Sequence, residues 1–257
     1  MNLFFSLKHF IKAGYFNGHR VHSPNIFNFF KYSIFSKEKF DYSLAENSYK
    51  DFLNSDISID TLSVGAKGNG EKISKKISNI AKSSSSKGKY GRLLQRSVYF
   101  LKPRKILELG TSLGIGTLYM ASGNLESKII SLDACTETQK IANNNFQKLN
   151  INNIELINSN FDDKLNEILI YNNDIDFVYV DGNHTYESTI KYFKILSENL
   201  NQNSVIFFDD INWSKGMTRA WYEILNNKKS IVSIETSRMG IIFLNPKLTP
   251  KYYCTRY

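Results

Sequence analysis

Four stretches gather the residue types that do chemistry. Glu108-Leu109-Gly110-Thr111-Ser112-Leu113-Gly114-Ile115-Gly116 sets an acid two residues ahead of a glycine-rich turn. Asp133 follows 17 residues after Gly116. Asp181-Gly182-Asn183-His184 and Asp209-Asp210 come later. A glycine loop that opens a helix lets backbone approach a ligand closely. Its spacing here is not the Gly-x-Gly-x-x-Gly of a nicotinamide site. An acid at Glu108 suits a ligand with a cationic amine better than a pyrophosphate. Asp133, at the end of an apolar run, can accept both hydroxyls of a ribose. Three carboxylates at Asp181, Asp209 and Asp210 repel one another unless protons or a cation intervene, and an all-oxygen set suits Mg²⁺. His184 titrates near neutral pH and can take a proton from a hydroxyl oriented there. Each feature also has a plainer reading. The loop can be a tight turn into a helix, and His184 a hydrogen-bonding partner of its own loop. Asp209-Asp210 can cap the next helix or bind a substrate amine without metal. Trp213 lines an acceptor pocket or packs, and Cys135 reads as a small core residue.

The elements that must position these residues follow from the apolar pattern. Strands are expected at 105–109, 128–133, 154–158, 176–181 and 204–209, with helices at 115–122, 137–149, 186–200 and 215–227. Alternation of this kind, with near-continuous apolar strands, specifies a parallel sheet covered on both faces. In such a sheet, ligands bind at the carboxyl ends of the strands, where all four stretches fall. Two further strands at 230–235 and 240–244 are close enough for a hairpin, which places one antiparallel strand in the sheet. The helix Tyr90–Leu101 leads into the first strand and stops before Pro103. Upstream, Ser23-Pro24 reads as an N-cap and N1 pair opening a helix whose apolar face carries Ile26, Phe27, Phe29, Phe30, Ile34 and Phe35. The chain is divided into a helical arm (1–60), a basic linker with the lead-in helix (61–104) and an α/β domain (105–257).

With these motifs in view, ILELGTSLGIGTLYMA followed by IISLDA resembles the class I S-adenosylmethionine-dependent methyltransferases. DFVYVDGNHTYES and SVIFFDDINW resemble the small-molecule O-methyltransferases of the catechol, caffeoyl-CoA and macrocin types. The resemblance covers about residues 89–245 and none of the first 60. It implies a doubly wound, Rossmann-like sheet of seven strands with an antiparallel last strand. It implies S-adenosylmethionine as cofactor, with Glu108, Gly110, Thr111, Ser112 and Gly114 near its methionine part. Asp133 and Ala134 would serve the ribose, Asn160 the adenine region, and Asp181 the methyl group. It implies a Mg²⁺ ion held by Asp181, Asp209 and Asp210, with His184 and Asp181 as the catalytic pair. The catechol type has its lysine base at the place of His184. The macrocin type has an acid at the place of Asn183, so the base stays open between the two patterns. Related enzymes are commonly dimers or larger.

Composition bounds the alternatives. The chain has 257 residues, 42% hydrophobic and 14% aromatic, enough for a packed core. No apolar run approaches the ~20 residues of a membrane span. Met1–Lys12 is too short in its apolar part for a signal-peptide core. Two cysteines, Cys135 and Cys254, make no disulfide framework, so a reduced, cytoplasmic protein is expected. The net charge of +9 is local. Lys67–Lys105 holds twelve Lys/Arg and one acid, and the remainder is near neutral. That segment is a solvated helical face or a patch for phosphates or nucleic acid. The leading expectation is O-methylation of a small-molecule hydroxyl. A nucleic-acid methyltransferase and a non-catalytic cofactor-binding subunit are the alternatives. Against the first of these, DGNH stands where base-modifying enzymes carry an Asn/Asp-Pro-Pro-aromatic loop.

Overall fold

The period-2 and period-3.6 patterns alternate from residue 105 onward, and the computed structural model alternates with them. It describes residues 13–14, 21, 23–62, 72–83 and 87–257. The chain divides into two compact units. One is Lys39–Asn166; the other joins Met1–Glu38 to Glu167–Tyr257.

In the first unit, β3 (Lys105–Leu109), β4 (Lys128–Asp133) and β5 (Ile154–Asn158) pair in that order, all parallel. The register aligns Glu108 with Ser131 and Asp133 with Asn158. The helices are α2 (Ser43–Leu53), α3 (Ile77–Ser83), α4 (Gly88–Leu101), α5 (Ile115–Gly123) and α6 (Thr136–Lys148). A short antiparallel ribbon joins β1 (Ser58–Leu62) to β2 (Lys72–Lys76). Helix α4 packs on α5 through two glycines. A side chain at Gly91 would strike the Tyr119 ring at 2.2 Å, and one at Gly123 would meet the Gln95 carbonyl at 2.6 Å. Ala45, Ile115, Leu118, Tyr119, Ala142 and Phe146 form one core cluster, so α2 shares the core of the α/β elements. The Gly/Lys stretch 65–72, apart from Lys72, and most of the Ser run 83–86 lie outside the described residues.

In the second unit, β6 (Ile175–Val180) and β7 (Val205–Phe208) are parallel. Strand β9 (Gly240–Phe243) runs antiparallel to β7 on one side and to β8 (Val232–Glu235) on the other. The expected antiparallel strand is therefore β9, inserted between β7 and β8. Strand β10 (Lys251–Cys254), not anticipated from the sequence, adds parallel to β8. The helices are α8 (Tyr186–Asn199), α9 (Lys215–Leu225) and α1 (Pro24–Phe29), which continues into a π-helical turn at Phe30–Ile34. Helix α7 (Phe161–Tyr171) crosses the boundary between the units. Phe29 meets the rings of Phe207 and Phe243 edge-on at 6.5 and 5.2 Å, and Phe30 meets Tyr253 at 5.6 Å. Both are fully buried. Burial of that kind contributes about 1.5–3 kcal/mol per ring, so residues 24–34 are part of this unit's core. Cys135 and Cys254 are buried thiols not joined in a disulfide. Among the described residues no helix is long and apolar enough to cross a membrane.

Candidate active site

The turn after β3 is built from left-handed residues at alternate positions. Gly110, Ser112 and Gly114 have φ of 111°, 49° and 76°. The Gly114 amide donates to the Thr111 carbonyl at 2.8 Å and closes the turn. Gly114 is the N-cap of α5, and a Cβ there would come within 2.4 Å of the Phe146 ring. Its glycine is required twice, by φ and by packing. Ser112 costs about 1–2 kcal/mol in this conformation. Its amide donates to Asp133 Oδ2 at 2.7 Å, and a hydrogen bond to a charged acceptor returns about 1.5–3 kcal/mol. The Cys135 amide donates to Asp133 Oδ1 at 2.8 Å. The Asp133 carboxylate thus joins the glycine turn to the end of β4. Ala134 is half-buried in the bend that follows.

Glu108 is buried under the turn, 1% exposed. Thr117 and Ser131 each donate a hydroxyl to its Oε2 at 2.5 Å. Because the Ser131 proton is committed to Glu108, Thr111 donates to Ser131 at 2.6 Å. Glu108 therefore fixes β3, β4, the turn and α5 to one another. Asn160 is exposed, and its amide donates to Asp163 Oδ2 at 3.2 Å in the first turn of α7.

The second unit gathers the remaining candidates after β6 and β7. His184 Nε2 lies 3.5 Å from Asp181 Oδ1. Asn183, at φ 49°, turns its amide away to donate to the Tyr192 hydroxyl at 2.8 Å. Thr185 then caps α8 by accepting from the Ser188 amide. Asp210, at φ 52°, follows buried Asp209. One ligand-type atom each of Asp181, His184 and Asp210 lies within 4.8 Å of the others.

Asp209 is different. Its Oδ1 accepts from the Arg238 Nε at 2.8 Å and from the Asp210 amide at 2.7 Å. Its Oδ2 accepts from Arg238 Nη2 at 3.1 Å and from the Tyr179 hydroxyl at 2.8 Å. A carboxylate has about four lone-pair positions, and four donors occupy them. Of the three expected metal carboxylates, Asp209 is thus the one whose lone-pair positions are taken by protein donors. Arg238 Nε also lies 3.0 Å from Asp210 Oδ1. The Tyr179 hydroxyl lies 3.1 Å from Asp181 Oδ2 and so bridges buried Asp209 and half-buried Asp181.

These contacts set the protonation of the cluster. Burial pushes the Asp209 carboxyl up, the Asp181 charge adds to it, and Arg238 only partly opposes, leaving it at about 7. Burial also raises Asp181, but the His184 hydrogen bond and the His184 and Arg238 charges outweigh it and hold Asp181 below the usual carboxylate range. Burial lowers His184, and Asp181, Asp210 and Asp209 together outweigh that, so its imidazolium persists above the ordinary range. Burial likewise disfavours the Arg238 charge, and Asp209 and Asp210 more than restore it.

Residues 107–211 match the family described as "Methyltransferase domain". The match covers less than half of the chain. It runs from inside β3 to Ile211 and contains every sequence candidate, from Glu108 to Asp210. Comparison with curated proteins gives no match. Among solved structures the chain is similar to the Podospora anserina methyltransferase PaMTH1 bound to S-adenosylhomocysteine, with a TM-score of 0.56 and 15% identity over 64% of this chain and 81% of that one. It is similar to the Streptomyces achromogenes O-methyltransferase TomG in complex with S-adenosylmethionine, with a TM-score of 0.53 and 14% identity over 83% and 93%. It is also similar to an O-methyltransferase from Bacillus cereus in complex with S-adenosylhomocysteine, with a TM-score of 0.51 and 22% identity over 61% and 81%. At these identities the likeness establishes the class I methyltransferase fold.

Arg238 and Tyr179 escaped the sequence reading. The signal for Arg238 was present in the hairpin. Strand β9 pairs Gly240 with Phe208, so the loop residues before Gly240 must lie beside Asp209 and Asp210. Part of the basic segment is engaged within the fold. Arg92 pairs with Glu46 at 2.7 Å, Arg96 is buried and donates to the Tyr42 hydroxyl, and Lys76 pairs with Asp56 at 3.0 Å.

Proposed function

We propose that this protein is an S-adenosylmethionine-dependent O-methyltransferase acting on a small-molecule hydroxyl. The observation that carries the reading is the pairing of the Ser112 amide with Asp133, which holds the glycine turn and the β4 carboxylate as one rigid element inside the segment that matches the methyltransferase family. The donor set suits the cofactor. Backbone amides at the start of α5 favour a carboxylate, and an acid at the end of β4 suits ribose hydroxyls. That similar folds were solved with S-adenosylmethionine or its demethylated product supports the same choice. When bound, S-adenosylmethionine supplies an electrophilic methyl group on a sulfonium.

The chain's own residues supply the rest. Asp181 accepts from His184 and holds its ring in place. The neutral imidazole of His184 takes the proton of the acceptor hydroxyl as the oxygen attacks in line. Asp181 stabilises the imidazolium that results. Fixed placement of the two groups supplies much of the rate. The family resemblance implies Mg²⁺, but the residues do not fit it in the expected set, because Arg238 already occupies the Asp209 carboxylate. No step here runs through a metal.

Thermal unfolding with and without S-adenosylhomocysteine tests the cofactor assignment without knowledge of the acceptor. At ~100 times its dissociation constant, the ligand should stabilise the fold by about 2.7 kcal/mol. An upward shift that NAD does not give is the expected result. No shift at millimolar ligand would sink the reading.

A further inference from the structure

We propose that the Arg238 guanidinium stands where relatives of this site would hold a divalent cation, so that the acid cluster works without metal. The inference rests on the functional reading for the role of the cluster, but its geometry stands alone. Three carboxylates after β6 and β7 need a compensating cation. Arg238 provides one in a form no exchangeable ion matches. It reaches Asp209 through two nitrogens, at 2.8 and 3.1 Å, and touches Asp210 Oδ1 at 3.0 Å. A forked contact of this kind is planar and directional, and it is the arrangement for which arginine is suited and lysine is not.

The backbone holds the fork in place. Arg238 lies between β8 and β9, and its carbonyl accepts from the Ile211 amide at 3.0 Å. On one flank the Thr236 hydroxyl accepts from the Met239 amide at 2.8 Å and closes the turn. The main chain at Arg238 is therefore fixed beside the chain that follows Asp210, within reach of both carboxylates. Asp209 offers a metal nothing in either protonation state. Ionised, its lone pairs are filled by four donors; protonated, it is a poor ligand. The group of Asp181, His184 and Asp210 remains, but its Asp210 member is already shared with the guanidinium. A divalent ion brought against these residues would face a fixed positive charge on the same carboxylate.

The test is Mn²⁺ binding, read by the loss of the free-ion electron paramagnetic resonance signal, on the full chain after chelation. The wild-type protein is expected to take up no stoichiometric Mn²⁺ below millimolar concentration, and its S-adenosylhomocysteine stabilisation is expected to be the same in chelator. Arg238→Gln should gain one Mn²⁺ site and lose it again when Asp210→Asn is added. Arg238→Lys, which keeps a cation, should gain none. One Mn²⁺ bound by the wild type and released by Asp210→Asn would overturn the proposal. So would a folded Arg238→Gln protein that binds no more Mn²⁺ than the wild type. Should Arg238→Gln fail to fold, the wild-type titration still decides. The S-adenosylhomocysteine shift in the same samples separates the two ideas: present with wild-type Mn²⁺ uptake, it leaves the methyltransferase reading intact and removes only this one.

Discussion

The Ser112 amide donates to Asp133 Oδ2 at 2.7 Å, tying the one non-glycine left-handed residue of the turn to the carboxylate at the end of β4. One side chain therefore has both a fold role and a ligand role. Asp133→Ala should lose S-adenosylhomocysteine affinity by at least about tenfold. It should also destabilise the apo-protein by about 1.5–3 kcal/mol, since two amides lose a charged acceptor. Calorimetric titration and denaturant unfolding read the two losses separately. An unchanged affinity would count against the motif assignment.

Gly114 tests the packing beneath that turn. Gly114→Ala places a methyl 2.4 Å from the Phe146 ring at a φ of 76°. Strain and overpacking together should cost about 2–4 kcal/mol. Adding Phe146→Leu should recover part of it, because only the steric share is relieved. A single variant as stable as the wild type would mean that the turn is not locked on α6.

The pH dependence follows from His184. Its folded-state value lies above the ordinary 6.5, so the stability it contributes is fully present below about 6.5 and fades as pH rises through the raised value. Activity should move the other way. A general base must be neutral, so turnover should rise with pH across the same interval while stability falls. His184→Gln should remove the rise and lower turnover by about 10²–10⁴-fold. Asp181 behaves in the opposite sense. Its lowered value contributes stability above about 3.8 that is lost as pH falls through it. A turnover profile flat from pH 6 to 9 in the wild type would remove His184 from the base role.

Thr185 is adjacent to His184 and caps α8. Thr185→Ala should cost about 1 kcal/mol of stability by the usual value of a cap. It should also slow turnover more than it weakens cofactor binding, because the loop that aims His184 is anchored at that cap. Equal losses in both would show a general loosening instead.

Much of this was legible in the residues because strand ends announce themselves. β3, β4 and β5 fall on the expected stretches because apolar runs stop at Gly110, Asp133 and Asn158, where buried backbone gives way to polar turns. The class I fold was likewise readable from Glu108–Gly116 and Asp133. Helix α7, Phe161–Tyr171, was missed although Asn158-Ser159-Asn160 and the first-turn acids Asp162 and Asp163 mark its start. Strand β10 was missed because Lys251–Cys254 is short and mixed, and gains its place only by pairing with β8. Arg238 was missed for a different reason. Its contacts with Asp209 and Asp210 cross nearly thirty residues, and no local pattern encodes them; only the register of β9 against β7 does. Expected ligands can be read from strand ends, but whether another side chain already holds them depends on tertiary pairing.

The contact of Phe30 with Tyr253 also bears on how the protein is made. The two rings are more than two hundred residues apart, and the whole of Lys39–Asn166 is synthesised between them. At a translation rate of about 5–20 residues per second, Phe29 and Phe30 wait roughly 10–45 seconds for β9 and β10. During that interval a strongly apolar helix has no sheet to cover, while the intervening unit can already fold. Residues 24–34 are therefore the part of this unit that waits longest for its packing partners during synthesis.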